Sequence, residues 1–439
     1  MSVLEAARTT DDVHLGELDA EALVATHGSP LFVYDLAVVT RQADALRAVL
    51  PARFDIAYAV KANPSLGLVA HLGDLGLGAD VASLGELRTA IRAGIPAERI
   101  VMTGPGKRDE ELRAAVDAGI RAITVESVGE LRRLDAIAGT RAGPGARPVP
   151  ILLRVAVSTT AVGERIPIVG GDGGLKFGMD RDDLLAAARL AGSSNRLDLL
   201  GIHSFGASNV TDAATVAEHV AATMALAIEV AAATGTTLRL VDVGGGLGIP
   251  YRDDEPPLDL DAFGRLLGAL ADSWTTDPAT RGTRLLIEPG RFIVGACGLY
   301  VTQVVDTKTV DGRAVAVVDG GIHHVLRPAL VGGEHRVRRL SRRGHPASAT
   351  APDPVMIAGP LCSGLDVLAT SALLPRLEPG DLLAILDVGA YGFSESMPFF
   401  LSHPIPAEIA IHDGRASVLR PRLEPESWLE WQRLPEAAG

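Results

Sequence analysis

From about residue 36 to residue 290 the sequence alternates short apolar runs with Ala- and Leu-rich stretches of helical spacing. The runs are FDIAYAV, GADVAS, RIVMTG, AITVES, ILLRVAV, LDLLGIHSF, LRLVDVG and RLLIEPG, eight in all. Between them lie segments such as LGELRTAIRAG and DAATVAEHVAATMALAIEVAAATG, whose apolar residues recur every three or four positions. Gly94, Gly119 and Gly235 stand where helices of this kind stop. Parallel strands need a crossover between each pair, and eight regular strand–helix units in about 250 residues predict a (β/α)8 barrel. A doubly wound sheet, the other α/β solution, does not call for so many regular units.

After residue 290 the pattern changes. LYVTQVVDTKTV, AVAVVD, DLLAIL and AEIAIHDGRASVL are rich in Val and Ile and are punctuated by Gly, Pro and Asp. They predict an all-β domain, a β-sandwich or β-barrel. The chain of 439 residues therefore divides into an N-terminal segment (1–35) packing on the β domain, a barrel (36–290) and the β domain (291–439). The basic stretch 332–354 and the Gly/Pro-rich stretch 139–149 read as loops.

Composition narrows the function classes. A net charge of -13 argues against a nucleic-acid partner. No uncharged apolar run reaches the roughly 18 residues of a membrane span, and the acidic start has no basic-then-apolar leader, so no membrane partner and a cytoplasmic location are expected. Two cysteines, Cys297 and Cys362, cannot make a disulfide framework, and the absence of HExxH or paired-Cys spacing predicts no metal site. Only four of the 41 basic residues are lysines (Lys61, Lys107, Lys176 and Lys308). In a chain that uses Arg wherever a positive charge will serve, a retained Lys is informative, because only an amine forms a Schiff base.

Barrels of this type carry their chemistry at the C-terminal ends of the strands. Lys61 falls at the end of the first run. Asp80, Ser83 and Glu86 fall at or just after the second, and Arg154 in the fifth. His203, Phe205 and Ser208 end the sixth, Gly244 to Gly248 follow the seventh, and Glu288 and Arg291 end the eighth. The plainer reading of Gly244–Gly248 is a tight turn, and its spacing is not the dinucleotide fingerprint. The loops after strands seven and eight are nevertheless the usual phosphate site of such barrels. A lysine amine, a phosphate cradle and a carboxylate on one rim are the parts pyridoxal 5'-phosphate needs: an aldehyde partner, an anchor and a partner for the ring nitrogen.

AYAVKAN, HSFGASN, DVGGGLG, EPGR, GPLCSGLD and DVGAYGFS, in that order, resemble the fold-type III pyridoxal-phosphate decarboxylases, among them the diaminopimelate, ornithine and arginine decarboxylases. The resemblance covers roughly residues 30 to 412. It implies a homodimer with two shared active sites. It assigns Lys61 to covalent attachment of the cofactor, and Gly244, Gly245, Gly246, Arg291, Ser208 and Tyr391 to the phosphate. Glu288 falls to the ring nitrogen, and Asp80, Arg154 and His203 to the cofactor's surroundings. Asp319 and Cys362 go to the substrate side, with Cys362 supplied by the other subunit as a candidate proton donor. Lys61 is the alternative donor. Glu at the ring nitrogen favours decarboxylation over the racemase or epimerase chemistry that the same fold type supports. A cofactor-carrying protein without turnover is a third possibility, but such proteins are shorter and lack a β domain.

Two departures bear on the substrate. Phe205 stands where the diaminopimelate and ornithine enzymes stack a histidine on the ring. FFLSHPIPAE, with His403 and Ile405, stands where diaminopimelate decarboxylases carry an Arg that grips a distal carboxylate. The same stretch, with GPGKRDEEL and GPLCSGLD, is similar to a natural-product subgroup that decarboxylates aminoacyl groups on an acyl carrier protein. The resemblance thus implies an acidic aminoacyl group held as a carrier thioester. Free diaminopimelate, ornithine or lysine is the alternative. The basic residues from Arg336 to Arg343 are a candidate dock for an acidic carrier, against the plainer reading of a solvated loop.

Overall fold

The computed structural model describes residues 12–13, 19–140, 147–156, 176–340 and 351–435. Two compact units emerge: residues 40–250 with 256–293, and residues 1–39 with 251–255 and 294–439.

The first unit is the (β/α)8 barrel. With β1 (Asp12–Val13) and β2 (Leu31–Asp35) belonging to the other unit, its strands are β3 (Phe54–Ala59), β4 (Gly78–Val81), β5 (Ile100–Met102), β6 (Ala122–Val125), β7 (Val149–Arg154), β8 (Leu197–His203), β9 (Leu240–Asp242) and β10 (Arg284–Ile287). They close in the order β10-β3-β4-β5-β6-β7-β8-β9, all parallel. Each falls within or beside one of the eight apolar runs. Ala57, Val101, Ala122, Leu152, Leu240 and Leu286 pack together as a buried cluster from six of the strands.

The surrounding helices begin on side-chain caps. Ser83, Asp180, Asp212 and Asp259 each accept from a backbone N–H of the first turn, worth about 1 kcal/mol apiece. Helices end at Gly119 and Gly235 in the left-handed conformation. Ala213–Thr234 is long and apolar enough by length and composition to cross a membrane, yet it packs on β8, β9 and the two neighbouring helices as a barrel crossover.

The second unit is a ten-stranded mixed sheet. Its later strands are β11 (Gly298–Val310), β12 (Arg313–Val318), β13 (Val337–Leu340), β14 (Asp353–Ala358), β15 (Val367–Leu374), β16 (Leu382–Leu386), β17 (Ala407–His412) and β18 (Arg415–Arg420). β2, fully buried, lies antiparallel to β11 and parallel to β17.

The basic stretch 332–354 is not simply a loop. Val337–Leu340 pairs with β16 because Val337 and Leu340 turn inward, and Asp353–Ala358 pairs with β12 and β15. Nor do its first arginines form a free positive patch. Arg336 is paired with Asp253 and Asp387, Arg338 with Asp253, and Arg339 with Asp381. Arg342 and Arg343, and most of 139–149, lie outside the described residues.

Candidate active site

The barrel gathers the polar strand ends on one rim. β3 runs into a single 3-10 turn, Val60–Ala62, which carries Lys61. Lys61 Nζ sits 3.1 Å from Asp80 Oδ2, with the amine side partly open and the carboxylate fully enclosed. Thr103 donates to the other Asp80 oxygen at 2.7 Å. Burial and the charge of Glu288 raise the Asp80 carboxyl, against the opposing pull of Lys61. Lys61 Nζ also lies 5.6 Å from the centroid of the Phe205 ring. Ser83 and Glu86, by contrast, are spent on the helix cap: Ser83 Oγ accepts from Glu86 N, and Glu86 accepts from Ala82 N.

β8, β9 and β10 deliver His203, Asp242 and Glu288 side by side, all buried, with ligand-type atoms within 4.8 Å of one another. His203 Nε2 is 3.5 Å from Glu288 Oε2, long for a hydrogen bond. Burial pushes Glu288 up, but the pull of His203 and then Lys61 outweighs it and holds the carboxyl at about 2. Glu288 Oε1 has no hydrogen-bond partner. A buried, ionised carboxylate oxygen without a donor is what a protonated ring nitrogen would complete.

The turn after β9 is shaped for an anion. Gly244 and Gly246 have φ of +67° and +93°. A Cβ on Gly244 would lie 2.6 Å from Ser204 O, on Gly245 2.0 Å from Glu288 O, and on Gly246 2.3 Å from Ala207 O. Only bare backbone fits all three positions, which lets a phosphate approach the chain closely. Beside them Arg291 opens a short helix, and its Nη2 donates to Ser208 Oγ at 3.2 Å. The orphaned Glu288 oxygen and the side-chain-free turn together fit pyridoxal 5'-phosphate.

Arg154, at the end of β7, reaches Glu126 at 2.6 Å in a pair that is nearly fully buried, and its guanidinium lies 4.6 Å from the Phe177 ring centroid. Glu126 also accepts from Gly104 N and Gly178 N. Behind it, Glu130 accepts from Glu126 N and pairs at 2.9 Å with Lys107, whose side chain is 1% exposed. Sequence reasoning missed Glu126, Glu130, Lys107, Thr103 and Asp242. One signal was present. ASLGE and ESVGE are the same S-x-G-E cap unit, and both fold alike, the Glu reaching back to the residue before the Ser.

The remaining sequence candidates sit in the β unit. Asp319 Oδ1 accepts from Thr302 Oγ1 and Gln303 N. Cys362 is exposed, on a loop fastened by Asp366, which accepts from Leu361 N and Ile322 N. Cys297 is buried, and burial pushes its thiol up, so it is held as an inert neutral group. Tyr391 adopts a left-handed φ of 53°. The His403 ring lies 4.9 Å from that of His323, tilted by 40°, and burial holds His323 at about 4.

A barrel rim with a lysine amine, a side-chain-free turn and an ionised, orphaned glutamate defines an enzyme built around pyridoxal 5'-phosphate. Residues 36–295 match the family described as pyridoxal-dependent decarboxylase, pyridoxal binding domain. The chain is 31% identical to a diaminopimelate decarboxylase of Zymomonas mobilis, covering 96% of this chain and 97% of that one. It is 30% identical to an L-glutamyl-[BtrI acyl-carrier protein] decarboxylase of Niallia circulans, covering 93% and 94%. It superimposes on diaminopimelate decarboxylase from Helicobacter pylori complexed with L-lysine with a TM-score of 0.83, 30% identity, and coverage of 94% of this chain and 98% of that one. The chain belongs to the fold-type III pyridoxal-phosphate-dependent decarboxylases: it is a carboxy-lyase acting on an α-amino acid.

Proposed function

We propose that the substrate is an acidic α-amino acid whose side-chain carboxyl is tied up as a carrier-protein thioester. One observation carries the reading. The groove at His403 is lined by Phe399, Ile405, Leu423, Trp428 and Trp431 among others, and among the described residues its only charged lining residue is the carboxylate Glu424. A free distal carboxylate finds no guanidinium there. The Niallia circulans relative, named for a glutamyl group on an acyl carrier protein, supports the same class. The diaminopimelate decarboxylases among the relatives favour the second reading, a free diamino acid.

In this reading Lys61 holds the cofactor, with Asp80 3.1 Å from its amine. Gly244, Gly245, Gly246, Arg291, Ser208 and Tyr391 hold the phosphate. Phe205 packs on the ring without exchanging a proton, and Arg154, fixed by Glu126, lines the same rim. Glu288, ionised, keeps a proton on the ring nitrogen. Bound, the cofactor supplies an electron sink for the pair left at Cα as CO2 departs. Cys362 of a second subunit then returns a proton to Cα, and Asp319 and His403 lie on the substrate side of a homodimer.

The test compares CO2 release from free diaminopimelate, ornithine, lysine and glutamate with release from a glutamyl group loaded on a carrier protein. Preference for the loaded substrate by kcat/KM supports the proposal. Efficient turnover of a free diamino acid overturns it in favour of the second reading.

A further inference from the structure

Besides the Arg154–Glu126 pair, the rim brings together among the described residues three buried carboxylates, Asp80, Asp242 and Glu288, and the two side chains whose positive charge can act on that group, Lys61 and His203. Asp80 has Lys61 at 3.1 Å, and Glu288 has His203 at 3.5 Å. Asp242 is left over. It ends β9 between the other two strands, in register with His203 on β8 and Leu286 on β10, and is 0% exposed. Its Oδ1 accepts from Gly244 N at 2.9 Å. Its Oδ2 is buried and has no hydrogen-bond partner, as is Glu288 Oε1 close by.

We propose that Asp242 is a positioning residue that keeps its proton and offers it to Glu288, bracing the ring-nitrogen carboxylate and the Gly244 turn from one side chain. Two buried carboxylates this close do not both ionise, since an uncompensated buried charge is far costlier than a shared proton. The division is set by the neighbours. Glu288 faces His203 and Lys61, whereas Asp242 faces the negative charges of Glu288 and Asp80. Burial first, and then the charge of Glu288, moves the Asp242 carboxyl well above its usual range. One residue thereby ties the two ends of the cofactor site: Oδ1 holds the first glycine of the phosphate turn, and the acid proton holds the carboxylate.

The proposal rests on the cofactor reading of this rim, and its test separates the two. Infrared difference spectra of the cofactor-free protein are compared for wild type, Asp242→Asn and Glu288→Gln. A protonated-carboxyl band present in wild type, lost in Asp242→Asn and retained in Glu288→Gln, is expected. A band lost only in Glu288→Gln, or no such band, overturns the proposal. Cofactor affinity is then titrated by absorbance. Asp242→Asn, neutral and still a donor, is expected to stay within about twofold of wild type, and Asp242→Ala to weaken binding about tenfold or more. An Asn variant as weak as the Ala variant overturns the neutral-acid role. Undiminished binding by Asp242→Ala overturns the brace. If Lys61→Ala still binds the cofactor covalently, the site reading itself fails.

Discussion

Gly245 is the position where the site's geometry can be broken by one methyl group. In Gly245→Ala the new Cβ would lie 2.0 Å from the carbonyl oxygen of Glu288, and real Cβ contacts essentially never close below 3.0 Å. The two backbone segments must part by about 1 Å. Neither can give easily, because Glu288 N already donates to Gly244 O at 2.8 Å across the same junction. Overpacking of this kind costs about 1–3 kcal/mol, roughly 2–12 °C in the melting temperature of a unit this size. The displaced residue is Glu288 itself, and a misplacement of about 1 Å at a reacting centre costs on the order of 100-fold in rate. Thermal melting, cofactor titration by absorbance and kcat/KM for CO2 release read the three effects. Gly268→Ala is the control. It lies within the helix Leu260–Thr276 with nothing within 4 Å of its added Cβ, and alanine there is expected to stabilise by about 0.5–1 kcal/mol. A Gly245→Ala protein with unchanged melting temperature and cofactor affinity would refute the close-approach argument.

Arg154→Ala is expected to destabilise the barrel by about 3–5 kcal/mol, because it strands the buried Glu126 carboxylate, and adding Glu126→Gln should recover part of the loss. Equilibrium unfolding in urea checks both; a loss under about 1 kcal/mol counts against the pair's importance. Glu288, held at about 2, lies below its unfolded value near 4.3. Its contribution to stability is therefore complete above about 4.3 and disappears as the pH falls towards 2. His203→Gln removes the main attraction, so its stability gap from wild type should shrink across that window; a constant gap would contradict the assignment.

The barrel was legible because each strand is buried on both faces and each helix on one, so every unit repeats the same two periods. The rim was legible as positions: a residue at the end of an apolar run in such a chain stands at the C-terminal end of a barrel strand. What those residues spend themselves on was not legible. Glu86, a rim candidate by position, closes a helix cap, whereas Glu126, passed over, fixes Arg154. Local spacing is shared by both, and only the neighbouring strand decides between them. Asp242 reads as the last polar residue before a glycine turn, and its want of a cation depends on which side chains β8 and β10 place beside it. The second unit was harder. β2, β14 and β15 were not recognised as strands, and the arginines of β13 look like a solvated run until Asp253, Asp381 and Asp387 arrive from distant segments.

The scarcity of lysine has a practical consequence once the four are placed. Lys107 is sealed against Glu130, with 1% of its side chain exposed, while Lys176 and Lys308 are open to solvent and the Lys61 side chain is 38% exposed. An amine-directed acylating reagent therefore meets three lysine side chains on this protein, and one of them is the proposed cofactor anchor. Occupancy can be counted by mass: Lys61 takes up label in the empty protein and is spared in the loaded one, while Lys176 and Lys308 mark the total in the same spectrum.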